Sequence, residues 1–178
     1  MPKQKVWVDT LIGDTHVGHK TAICHPDMPD GYVQNKYQRW LYENVFAGTF
    51  LPELKDFLKS YRSKTTHVIY GGDMVERDWK SRNKENEMWS RDYRESVPNA
   101  IKLLKPLTAM ADYIHVIKGN QAHSGASGEA DELFAYALPH EKVVKNSSNR
   151  WIHDVAYYKV GDLLIQAKHK GKNKSKKN

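Results

Sequence analysis

The chain has 178 residues, 39% of them hydrophobic and 28% charged, with a single cysteine. That length is enough for one core-forming domain, the balance excludes a disordered chain, and no apolar run approaches the ~20 residues that span a bilayer. The net charge of +7 invites a nucleic-acid partner, but six lysines between Lys168 and Asn178 supply all but one unit of it. The basicity is therefore a property of the tail, which reads as a solvated, disordered end.

The first predicted element is a strand over Val6 to Ile12, ending at Gly13. A turn-rich loop through HPDMPDG follows. From about Tyr32 the pattern becomes helical, with Tyr37, Trp40, Leu41 and Val45 as its apolar stripe. A second helix is expected after Gly48, carrying Leu54, Phe57, Leu58 and Tyr61. The run THVIYGGD predicts a second strand, and residues from Asn83 to Met110 a helix that Pro98 breaks or restarts. DYIHVIKGN predicts a third strand and Glu129 to Leu138 a helix, before a hairpin in VAYYKVGDLLIQAKH with its turn near Gly161. Trp40, Trp79, Trp89 and Trp151 are expected in the core or at its rim. Strands alternating with helices imply a layered α/β domain over residues 1–167, followed by the lysine-rich segment 168–178.

In such folds ligands gather beyond the carboxyl ends of the strands. Three predicted strands here end in IGDTH, YGGDM and KGNQAH, each with a carboxylate or carboxamide directly after a glycine. The glycine permits a sharp turn, and taken singly each ending is an ordinary turn motif. Together they would bring Asp14, His16, Asp73 and Asn120 to one sheet edge, with His169 at the end of the last strand. Mixed oxygen and nitrogen donors of this kind suit Mn²⁺, Fe or Zn²⁺ better than Ca²⁺.

GDTHVG, GGDMVE and GNQAH, in this order after three strands, resemble the first three signatures of the calcineurin-like metallophosphoesterases. The family pattern is D-x-H, G-D-x-x-[DE] and G-N-H-[DE], then a lone histidine and a final G-H-x-H. The resemblance runs from about Val6 to His169. It implies an αββα sandwich, incomplete here at its C-terminus, and two divalent ions, Mn²⁺ foremost. Asp14 and His16 would hold the first ion, Asp73 would bridge both, and Asn120 and His169 would hold the second. Asn120 would also contact phosphate, with Arg77, Lys80 and Arg82 near enough to help. The implied reaction is hydrolysis of a phosphomonoester or phosphodiester, nucleic acid and nucleotides included, by a metal-bound hydroxide. Glu76 and Asp78 would orient ligands or simply open the next segment.

The sequence departs from the pattern in two places. Gln121 stands where the family has its general-acid histidine, and His123, in a GNQAHSG run resembling phage-type members, is the expected replacement. No G-H-x-H occurs in the chain, which favours a shortened family member. His19 and His25 read as loop and turn residues, His67 and His115 as structural histidines within strands, and His140 and His153 as polar connections. The expected location is the cytoplasm, that of the host if the gene is phage-borne, because no secretion signal or disulfide pair is present. The competing expectations are an inactive or weakly metal-binding remnant of the same fold, and a basic nucleic-acid-binding protein.

Overall fold

The computed structural model describes residues 6–61, 64–77, 88–89 and 92–169. Three strands, β1 (Val6–Ile12), β2 (Lys64–Tyr70) and β3 (Tyr113–Val116), form a parallel sheet in the order β1-β2-β3. Val6 pairs with Lys64 and Ile12 with Tyr70, while His67 faces Tyr113 and Tyr70 faces Val116. The central strand is buried from Thr65 to Tyr70, as a parallel strand covered on both faces should be.

Helices make both crossovers. Asn35 caps α1 (Lys36–Trp40) in a reciprocal pair with Gln38. The chain then passes through wide π-type turns at Leu41–Phe50 into α2 (Leu51–Lys59). Two helices separated at Gly48 were expected; instead the helical path is continuous. The Leu51 N–H reaches five residues back to Phe46 O, and a Cβ at Gly48 would overlap Glu43 O. The glycine thus permits the wide turns and does not end the helix. The expected apolar stripe also differs, because Tyr37, Trp40 and Val45 are exposed.

The second crossover, α3 (Tyr93–Met110), is capped by Asp92, whose side chain accepts from Arg94 N. Pro98 was expected to break this helix, yet both Pro98 and Pro106 lie inside it. Each removes a hydrogen bond at a cost of about 3 kcal/mol, and the burial of Val97, Ala100, Leu103, Leu104 and Leu107 against the sheet offsets it. The predicted start near Asn83 lies outside the described residues.

These α3 residues meet Val68, Tyr70, Ile114 and Val116 of the sheet and Phe134 of α5 (Glu129–Tyr136) in the main core. Trp89 also joins that core, whereas Trp79 falls outside the described residues. On the other face Ile69 and Ile117 pack with Ala156, Tyr158 and Ala167. These last belong to an antiparallel hairpin of β4 (Ala156–Val160) and β5 (Leu163–Ala167), which turns at Gly161. The result is a mixed α/β molecule, with helices on one side of a parallel sheet and a small antiparallel sheet on the other. Among the described residues no helix is long and apolar enough to cross a membrane.

His67 and His115 lie within strands as expected and are buried beneath the hairpin. His153, expected in a polar connection, is buried too, its N–H bonded to Val116 O and its Nε2 to Val144 O.

Candidate metal centre

Beyond their last paired residues, β1 and β2 stay side by side. Asp14 N donates to Gly72 O, His16 N to Asp73 O and Val17 N to Met74 O, at 3.0, 3.0 and 3.1 Å. This ladder holds Asp14, His16 and Asp73 at φ of 52°, 46° and 53°. Among described non-glycine residues only Asn149 also has a positive φ. Such backbone costs of order 1–3 kcal/mol per residue and persists where the surroundings over-determine it, typically at functional sites.

A short helix, α4 (Gln121–Ser124), follows β3, with Asn120 at its N-cap. The preceding Gly119 is required, because a Cβ there would overlap the Asp73 carboxylate. Asp73 is fully buried. It accepts from Asn120 N at 3.0 Å, Asn120 Nδ2 at 2.5 Å and Ser124 Oγ at 2.7 Å, and lies 3.1 Å from His169 Nε2. His169 Nδ1 donates to Gly71 O at 2.8 Å. Asp14, His16, Asp73, Asn120 and His169, drawn from four separate chain segments, therefore meet around one carboxylate.

Beside it stands a second buried carboxylate, Glu76. Its oxygens lie 2.6 Å from His16 Nδ1 and 2.8 Å from His123 Nδ1. The two imidazoles meet edge to face at 4.5 Å, and His16 Nε2 is 3.7 Å from Asp14 Oδ1. Burial alone would raise the Glu76 pKa, but its hydrogen bonds to His16 and His123 hold it below the usual carboxylate range. Burial would likewise lower His16, yet the Glu76 hydrogen bond and the charges of Glu76, Asp73 and Asp14 raise it. Three carboxylates, those of Asp14, Asp73 and Glu76, thus stand among these imidazoles. His16, Asp73 and His123 each offer one donor atom within 4.8 Å of the others, and so do Asp14, Asp73 and His169. Two three-donor sets share Asp73, and carboxylate with imidazole is a donor mixture that fits Mn²⁺, Fe²⁺ or Zn²⁺.

Three residues of the site escaped sequence reasoning. Asp131, in the first turn of α5, is buried, accepts from Met74 N at 3.1 Å and Gly119 N at 2.8 Å, and lies 2.6 Å from Ser124 Oγ. It ties together the loops carrying Asp73 and Asn120, and burial raises its pKa against the pull of these bonds. Ser124 lies between Asp131 and Asp73. Lys168 lines a polar cleft of about 360 Å³ with Asp14, Asn120 and His169. No sequence signal marks these roles, since an acid opening a helix is ordinary capping chemistry.

Arg77 does not stand free over the site. Its guanidinium pairs with Glu129 at 2.9 Å and lies over the Tyr93 ring. Asp78, Lys80 and Arg82 are outside the described residues, as are Lys170 to Asn178 of the tail. His19 lines the same groove as His16, but its Nδ1 accepts from Thr21 N. That groove, about 520 Å³, runs from Asp14, His16, Glu76 and His123 to an apolar wall of Ala22, Ile23, Leu41 and Val45. No family model, curated protein sequence or solved structure matches this chain.

Proposed function

We propose that the chain is a calcineurin-like phosphoesterase that hydrolyses a phosphomonoester or phosphodiester with two divalent ions, Mn²⁺ foremost. The observation that carries this reading is the pair of three-donor sets sharing the buried Asp73. In this reading the helix-covered parallel sheet and the hairpin behind it are layers of an αββα sandwich. Asp14, His16, Asp73, Asn120 and His169 hold the ions. When bound, two such ions lower the pKa of a water, polarise the phosphoryl oxygens and offset charge as the ester bond breaks.

The chain's own residues prepare the site. Glu76 keeps a proton on Nδ1 of His16 and fixes its ring. Asp131 and Ser124 hold the Asp73 and Asn120 loops in register. Lys168, in the cleft beside His169, supplies a cation for a phosphate oxygen. The apolar wall of the larger groove receives the organic part of the ester, so an aryl or nucleoside ester fits better than a small alkyl one. Hydrolysis of an aryl phosphodiester should disappear when metal is stripped with a chelator and return on adding Mn²⁺. Turnover that is indifferent to chelation would overturn the reading.

A further inference from the structure

Three histidines around Asp73 share one arrangement. His16 and His123 both direct Nδ1 at Glu76, and His169 directs Nδ1 at Gly71 O. An ionised carboxylate and a carbonyl only accept, so each ring keeps a proton on Nδ1, and Nε2 is the nitrogen left to meet a metal ion. Outer carboxylate or carbonyl partners orient metal-binding histidines in this way. His19 and His25 show the reverse. Their Nδ1 atoms accept from the N–H groups of Thr21 and Asp27, which leaves the proton on Nε2 of the neutral ring.

We infer that His123 is a metal ligand through Nε2, completing with His16 and Asp73 the set that holds one ion, and that Glu76 is the positioning residue for both imidazoles. Three observations bear on this. Donor atoms of His16, Asp73 and His123 already lie within 4.8 Å of one another. The Glu76 side chain is 2% exposed, so its carboxylate meets both imidazoles away from bulk water. The backbone also fixes the approach of His123 to Glu76, because Arg77 N donates to His123 O at 2.9 Å. An imidazole engaged through Nε2 has no proton there for a leaving group. His123 would therefore act in binding the ion, in place of the general-acid role that the family resemblance implies.

The inference rests on the dinuclear reading above, and the test separates the two. Calorimetric titration with Mn²⁺ should count two ions in the wild-type chain. In His123→Gln one ion should remain, at Asp14, Asp73 and His169, while the other weakens about a hundredfold or more. Glu76→Gln should weaken the same ion by about 10–100-fold, the effect of losing an outer partner. Two ions bound by His123→Gln at wild-type affinity would overturn the inference and leave the dinuclear reading standing. No binding to the wild-type chain would overturn both. A measurement that needs no variant is proton NMR of the Co²⁺-loaded wild-type chain. It should show shifted, exchangeable imidazole N–H signals from all three of His16, His123 and His169. Signals from His16 and His169 alone would overturn the inference.

Discussion

Asp73→Asn is expected to lower the turnover of an aryl phosphodiester by about a thousandfold or more, because it removes the one carboxylate common to both donor sets. A loss of that size is about 4 kcal/mol of transition-state stabilisation, the scale on which bound ions act in phosphoester displacement. The substitution keeps the shape of the side chain while replacing a carboxylate oxygen with an NH₂ group. That group would have to face Asn120 Nδ2, Ser124 Oγ or His169 Nε2, which now surround Asp73 at 2.5–3.1 Å. Asp14→Asn, by contrast, touches only one set, and its side chain is largely exposed, so it should cost less. Turnover by Asp73→Asn within tenfold of wild type, measured side by side under saturating Mn²⁺, would remove Asp73 from the assigned centre.

The second large effect concerns stability and lies on the opposite face of the sheet. His67 and His115 stack at 5.5 Å beneath Tyr158, with His67 Nδ1 and His115 Nε2 3.4 Å apart. His67 Nε2 and His115 Nδ1 are buried without hydrogen-bond partners. Burial, with the neighbouring His67 and His153, lowers the His115 pKa from 6.5 to about 4. Burial lowers His67 as well, against the charges of Asp9 and Asp112.

The unfolded chain therefore binds a proton at His115 below pH 6.5 that the folded chain refuses until about pH 4. Stability from this group is complete above that window and is lost as pH falls through it, by about 3 kcal/mol at pH 4. Urea unfolding from pH 7.5 to 4 should show this loss in the wild-type chain and a shallower one in His115→Phe, which has no ring to titrate. Equal losses in both chains would mean that another group governs the acid limit. The consequence reaches the candidate metal centre, because the hairpin packed on these rings leads directly into His169.

The strand ends were legible because parallel strands leave few ways to continue. Glycine followed by Asp or Asn after an apolar run marks a turn out of the strand, and Asp14, Asp73 and Asn120 follow such turns to one sheet edge. His16 followed from its spacing to Asp14, and His169 from its place after the last strand. Other features depended on contacts between distant parts of the chain. Nothing near Asp131 in sequence shows that Met74 N and Gly119 N donate to it, because both come from loops far from it in the chain. Arg77 looked available to phosphate until Glu129, from the start of α5, took its guanidinium. The apolar stripe at Tyr37, Trp40 and Val45 had the right period for a buried face, yet all three are exposed, because period alone does not say whether another element covers that face. Pro98 failed as a helix breaker for an energetic reason, since the packing of α3 on the sheet outweighs one missing hydrogen bond.

The central claim is that two ions sit together and share Asp73. Electron paramagnetic resonance of the Mn²⁺-saturated wild-type chain tests it most directly. Two Mn²⁺ ions bridged by one carboxylate should give the signal of an exchange-coupled pair, and Asp73→Asn should abolish it. A spectrum of isolated Mn²⁺ ions alone, in a wild-type chain shown to be folded and saturated, would contradict the account.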